Sequence, residues 1–215
     1  MPNSTPPFST GEYQRRLRAV RASMAEQKMD LLFCQDPSNM AWLTGYDGWS
    51  FYVHQGVLVF LDEPPEWWGR AQDANGAVRT VWMDDACVNS YPDHYVQSST
   101  LHPMQHLGDL IRERGYGVKR IGVELDNYYF SAKACRALEE RLPDARLVDA
   151  TGLVNWQRTI KSDEELAYMR KAARISEKII DGIAERVEPG LLKHELVAEI
   201  YADAIRGIDA DWGDY

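Results

Sequence analysis

Cysteine, basic charge and long apolar runs are all scarce in this sequence. Cys34, Cys87 and Cys135 are its three cysteines in 215 residues. They are odd in number and far apart, with no CxxC or Cys/His spacing, which excludes a zinc knuckle and a disulfide framework. They read as reduced, mostly buried thiols of a cytoplasmic protein. Lys and Arg total 24 against 33 Asp and Glu, a formal net charge of −9. Nucleic acid and anionic membranes are therefore disfavoured as partners, since either calls for a basic patch. No run approaches the roughly 18 apolar residues of a membrane span, and the opening MPNSTPPFSTGEYQRR lacks the apolar segment of a signal peptide. The plain reading is soluble and cytoplasmic. GxSxG, GxGxxG after a strand, a P-loop and HExxH are all missing, which removes the common nucleophilic, phosphate and zinc-protease motifs. There is no internal repeat and no low-complexity segment.

What is present is enough apolar residue to build a core: 45% hydrophobic, 27% charged and 11% aromatic, as in ordinary globular proteins. Ser9 or Thr10 can cap a helix to about Gln27, with Leu17, Val20 and Met24 at helical spacing and Arg15, Arg16, Arg18 and Arg21 turned to water. MDLLFC (29–34) predicts a short strand. Pro37 at a first helical position and Gly45 past the end bracket one or two turns of helix. GVLVFLD (56–62) and EWWGR (66–70) predict a hairpin across Glu63-Pro64-Pro65. Adjacent Trp67 and Trp68 point to opposite faces of it, so one of them is expected at an exposed edge or interface. VWM (81–83) predicts a further strand, and 86–101 an irregular stretch. A helix at 102–115 opens with Pro103 and stops at Gly115; a strand at 120–125, a helix at 131–143 and a strand at 145–150 follow. Alternating strands and helices from 29 to 150 predict an α/β layer with a mainly parallel or mixed sheet and an inserted antiparallel hairpin.

Past residue 151 strands vanish. Ser162 and Glu165 form a capping box before a long helix whose apolar stripe is Leu166, Met169, Ala173, Ile180, Ile183 and Val187. A Pro189-Gly190 turn leads to a second amphipathic helix carrying Leu196, Val197, Ile200, Ala204 and Ile205 inward and ending at Gly207. With no sheet of their own, these helices read as the beginning of a second domain: 1–155 and 156–215.

Most candidate chemical features have plain structural readings. His102 and His106 lie four apart, but Pro103 puts His102 at a helix cap, and no third ligand has regular spacing; a capping histidine and a surface histidine are the better account. Glu139-Glu140 and Glu164-Glu165 fall on solvated faces or helix starts, and Asp84-Asp85 suits turn chemistry. YDGWSFYVHQG (46–56) differs. If SFYVH is extended, Phe51 and Val53 share one face and Tyr52 and His54 the other, with Trp49 at its mouth. Polar-tipped rings would waste hydrogen bonds in a closed core, and they suit a small flat cation, at roughly 0.5–2 kcal/mol per cation–π contact. The alternative is an aromatic strand packed into the layer, and spacing alone gives that a slight edge.

Three motifs carry a resemblance over nearly the full length. DPSNMAWLTGY (36–46), TGLVNWQRTIKSDEELAYMRKAARISEKI (151–179) with Lys161, Ser162 and Glu165, and the Pro189-Gly190 pair followed by HEL (194–196) resemble the creatinase/prolidase group. That resemblance implies an α/β amino-terminal domain, a mixed sheet flanked by helices, followed by the first helices of a pita-bread catalytic domain. Within the group, TGYDGWSFYVHQGVLV, WWGRAQDANGAVRTVWM and YPDHYVQSSTLHPM look most like its ectoine-hydrolysing branch. This implies a C–N hydrolase opening the cyclic amidine of ectoine to N-acetyl-diaminobutyrate. The alternatives are a metal-dependent Xaa-Pro dipeptidase, a creatinase-like hydrolase, or, for this chain by itself, a non-catalytic dimerisation or binding module. By the same resemblance the segment at 49–55 reaches the partner's active site in a homodimer, which nominates Trp49, Phe51, Tyr52 and His54 as substrate contacts. The catalytic histidines and carboxylates are expected downstream of Tyr215, leaving the 215-residue chain inactive by itself. No cofactor is expected, with two divalent metal ions as the alternative for a peptidase.

Overall fold

A computed structural model describes residues 6–48, 50 and 52–209. The chain divides into two compact units, Met1–Thr159 and Ile160–Tyr215.

In the first unit, helix α1 (Thr10–Glu26) starts where the Ser9 side chain accepts the Glu12 amide. Strand β1 (Leu31–Cys34) leads into α2 (Pro37–Thr44). Asp36 caps α2 by accepting from the Ser38 and Asn39 amides, and Gly45, at φ 79°, ends it in the left-handed conformation open to glycine. Strands β2 (Gly56–Phe60) and β3 (Glu66–Arg70), helix α3 (Ala71–Thr80) and strand β4 (Val88–Tyr91) follow. Helix α4 (Pro103–Glu113), strand β5 (Arg120–Val123), helix α5 (Ala132–Arg141), strand β6 (Arg146–Asp149) and the short α6 (Leu153–Gln157) complete the unit.

The six strands form one mixed sheet in the order β4-β3-β2-β1-β5-β6. The β1–β2 and β2–β3 pairs are antiparallel, and β1–β5, β5–β6 and β3–β4 are parallel. Strand alternation divides the apolar residues between two cores. Leu32, Cys34, Val57, Val59 and Trp67 pack with residues of α1, α2 and α6 on one side. Leu31, Phe33, Leu58, Phe60 and Trp68 pack with residues of α4 and α5 on the other. Trp67 and Trp68 do point to opposite faces, but both faces are covered and both rings have 0% exposure; the exposed tryptophan expected from the sequence is not found.

Two further expectations fail here. VWM is not a strand: Val81 follows α3, and Trp82 spends its backbone N–H on the Thr44 carbonyl and its indole N–H on the Leu43 carbonyl, 3.0 Å each. Arg16 does not face water but is fully buried, donating to Glu12 (2.9 Å) and to the Trp42 carbonyl (2.8 Å) beneath the Phe8 ring.

Glu124, buried at the end of β5, gathers the ends of several elements. Its carboxylate accepts from the Gln35 amide (2.6 Å), the Asp36 amide (2.8 Å) and Asn39 Nδ2 (2.7 Å). Asn39 in turn bonds Asn155 and Arg158. The DPSN segment is thus held by one internal anion whose acceptor sites are taken up.

The second unit holds α7 (Asp163–Arg186), opened by the Ser162/Glu165 capping box, and α8 (Lys193–Arg206). Arg186 pairs with Asp203 at 2.7 Å between them. Met169, Ile180 and Val187 of the expected stripe, and Ile205 of α8, are exposed.

Candidate functional site

A cavity of about 470 Å3 opens in the first unit beside the loop that precedes β2. The described residues of 50–54 form no strand, so the extended reading of SFYVH does not hold for them. Val53 donates to the Ser50 carbonyl at 3.1 Å, closing a turn, and regular pairing begins only at Gly56. Tyr52 and His54 nevertheless both line the cavity. Trp49 and Phe51 lie outside the described residues.

Several neighbours hold this loop in place. Ser50 donates to Asp73 of α3, and Asp73 also takes the Arg70 guanidinium, through Nε at 3.0 Å. Arg70 in turn sits over the Tyr52 ring, 5.9 Å from its centroid. On the other side the buried Tyr91 hydroxyl donates to the His54 carbonyl at 2.8 Å, and Tyr46 donates to Gln55 Oε1 at 2.9 Å. Tyr52 remains 69% exposed, its cationic neighbour already in place.

His54 is half-buried, 4.8 Å ring to ring from His102. Burial, reinforced by His102, pushes its pKa down to about 4, against a hydrogen bond to the Tyr129 backbone that favours the protonated ring. The imidazole is therefore neutral near pH 7. His102 is the N-cap of α4, as the sequence suggests, with Nδ1 accepting the Met104 amide at 3.2 Å. Burial and then the Lys133 charge lower its pKa. His106 Nδ1 accepts the Trp68 indole N–H at 3.2 Å, and burial lowers its pKa as well. Nδ1 of His102 and Nδ1 of His106 are thus both engaged inside the fold. Among the described residues no three His, Cys, Asp or Glu side chains are grouped to hold a metal ion, so the residues of this cavity do not fit one.

Arg70, Tyr91, Tyr95 and Lys133 also line the cavity, and sequence reading missed all four. They come from β3, β4, the turn after β4 and α5, and no spacing links them. The only available hint was the aromatic and histidine density of YPDHY (91–95), within the stretch read as irregular.

The comparisons with known proteins match this architecture. Residues 16–160 match the Creatinase/Prolidase N-terminal domain. The chain belongs to the creatinase/prolidase family. It is 54% identical over 94% of its length to an ectoine hydrolase of Halomonas elongata, covering 51% of that protein. It is 38% identical over 94% of its length to an uncharacterized hydrolase/peptidase of Sinorhizobium fredii, covering 52%. The chain thus spans about half the length of the curated relatives it matches. Among solved structures, an Xaa-Pro dipeptidase from Bacillus anthracis superposes with a TM-score of 0.70 at 17% identity, over 89% of this chain and 48% of that one. The likeness is one of fold, and it agrees with the fold class expected of this family member. No helix of the described residues is long and apolar enough to cross a membrane.

Proposed function

We propose that this chain carries the amino-terminal domain of an ectoine hydrolase, with residues 1–155 forming that domain and 156–215 beginning the catalytic one. The observation carrying this reading is the 54% identity to the Halomonas elongata ectoine hydrolase across 94% of the chain. In the proposed reaction water adds to the amidinium carbon of ectoine. The ring C–N bond breaks as the leaving nitrogen is protonated, giving N-acetyl-diaminobutyrate. The acid and base for these transfers are not assigned within this chain.

Its contribution is to binding. A neutral imidazole with a pKa near 4 is a poor proton acceptor at pH 7 but a good directional hydrogen-bonding group. We assign His54 and Tyr52, with Trp49 and Phe51, to substrate contact, made across the interface of a homodimer. A dipeptidase reading is supported by likeness of fold at 17% identity and by the hydrolase/peptidase name of the Sinorhizobium fredii relative at 38% identity, less than the 54% to the ectoine hydrolase.

The test is His54→Ala in the enzyme containing this chain, assayed for ectoine hydrolysis and for cleavage of an Xaa-Pro dipeptide. The expected result is ectoine turnover by the wild type, no peptide cleavage, and a fall of about tenfold or more in kcat/KM for the variant with unchanged circular dichroism. Unaltered kinetics would remove His54 from the site, and peptide cleavage without ectoine turnover would replace the substrate.

A further inference from the structure

The cavity's lining runs against the charge of the chain. A protein of net charge −9 surrounds this space with Arg70 and Lys133 and, among the described residues, with no Asp or Glu. The two cations differ in availability. Arg70 is committed to Asp73 through both Nε (3.0 Å) and Nη2 (3.3 Å). Lys133, in the first turn of α5, is exposed and makes no ion pair among the described residues. Nearby carboxylates do not cancel it. Asp73 is taken by Arg70 and Ser50, Asp93 is exposed on the turn after β4, and Glu140 lines only an adjoining cavity, about 10 Å along α5.

The neutral groups supply donors too. Because His102 Nδ1 accepts the Met104 amide, its neutral ring must carry the proton on Nε2, which leaves an N–H donor on a residue lining both cavities. Ser98 Oγ accepts the Leu101 amide at 3.0 Å and the Thr100 amide at 3.3 Å, so its hydroxyl proton is left to donate outward. An ammonium, an imidazole N–H and a hydroxyl around one acid-free cavity fit an oxyanion and repel a cation.

We propose that this cavity is a carboxylate-binding site in which Lys133 supplies the charge and His102 and Ser98 the neutral hydrogen bonds. Resting for its physiological ligand on the function proposed above, this assigns the carboxylate end of ectoine, and not its amidinium, to the cavity. It departs from the cation–π expectation for the same surface, since the Tyr52 ring already faces the Arg70 guanidinium.

The experiment is an NMR titration of the 215-residue chain, following the imidazole signals of His54 and His102, with acetate and separately with ectoine. Lys133→Gln and Lys133→Arg are compared with the wild type. The proposal expects acetate in the millimolar range to shift the His102 signals saturably, with affinity reduced about tenfold in Lys133→Gln and largely retained in Lys133→Arg. It is overturned if acetate shifts nothing, or if Lys133→Gln binds acetate as the wild type does. Since Lys133 is exposed, Lys133→Gln is expected to keep its fold, and Lys133→Arg separates loss of charge from loss of structure. If acetate binds as expected but ectoine neither shifts the signals nor displaces acetate, the site stands and the assignment of the substrate fails.

Discussion

A histidine's value in a site depends on the protonation state its surroundings impose, and His54 is held neutral. The unfolded ring takes its proton near pH 6.5 and the folded one only near pH 4. Between those values the unfolded chain binds more protons, so acid favours unfolding. His54's contribution to stability is complete above about pH 6.5 and is lost as pH falls toward 4, on the order of 3 kcal/mol in all. His102 and His106, both lowered by burial, act in the same direction; Lys133 adds to the effect at His102, while Asp109 and Glu113 oppose it at His106. Urea unfolding followed across this range should show stability falling with acid in the wild type and a flatter slope in His54→Gln. Equal slopes would mean that the His54 ring is not held neutral. The sequence drew attention to His54 by surrounding it with aromatics, yet the neutral state depends first on burial and then on His102, 48 positions further along, and holds against the hydrogen bond to Tyr129. No local pattern carries that information.

At the scale of elements, the loop owes its position to the point where it rejoins the sheet. β2 begins at Gly56, packed so closely on β1 that an added Cβ would lie 2.3 Å from the Phe33 ring and 2.8 Å from the Cys34 carbonyl oxygen. A backbone carbonyl cannot move aside as a flexible side chain can. Gly56→Ala is therefore expected to lower stability by about 1–3 kcal/mol and to disturb the Tyr91–His54 hydrogen bond, read as a lower denaturation midpoint and altered His54 signals. A midpoint equal to the wild type would show that the β1–β2 pair has room to spare. Elements with a strong internal signal were legible from sequence. α1 has an apolar stripe, α2 is bracketed by Pro37 and Gly45, and α4 and α7 carry caps at His102 and Ser162. α3 was not, because AQDANGAVRT has Ala77 as its one buried residue and a mid-helix Gly76. β4 was not, because VNSY is a polar four-residue strand whose definition comes from parallel pairing with β3. These two unread elements supply Asp73 and Tyr91, which fix the loop on either side. The candidate cavity was therefore legible in the Tyr52 and His54 of its loop and illegible in its supports.

Across the whole molecule the means of holding together are unevenly distributed. Every buried apolar side chain among the described residues lies at or before Val154, so both cores belong to Met1–Thr159. Ile160–Tyr215 offers a capping box, the Arg186–Asp203 pair and a bond from Lys178 Nζ to the Gly207 carbonyl at 2.7 Å. Its Met169, Ile180, Val187, Leu192, Tyr201 and Ile205 stay exposed. Burying such a side chain contributes roughly 1.5–3 kcal/mol, whereas a half-exposed ion pair gives about 1 kcal/mol or less, and a pair of helices without a shared apolar core is marginal in water. Residues 1–159 expressed alone should therefore unfold in one cooperative transition close to that of the 215-residue chain. A peptide of residues 160–215 should show little helix by circular dichroism. Limited proteolysis of the intact chain should cut first beyond residue 160 and leave the sheet-bearing unit whole. A cooperative melt from the isolated peptide, or loss of cooperativity in residues 1–159, would mean that stability is shared in a way the burial pattern does not reveal.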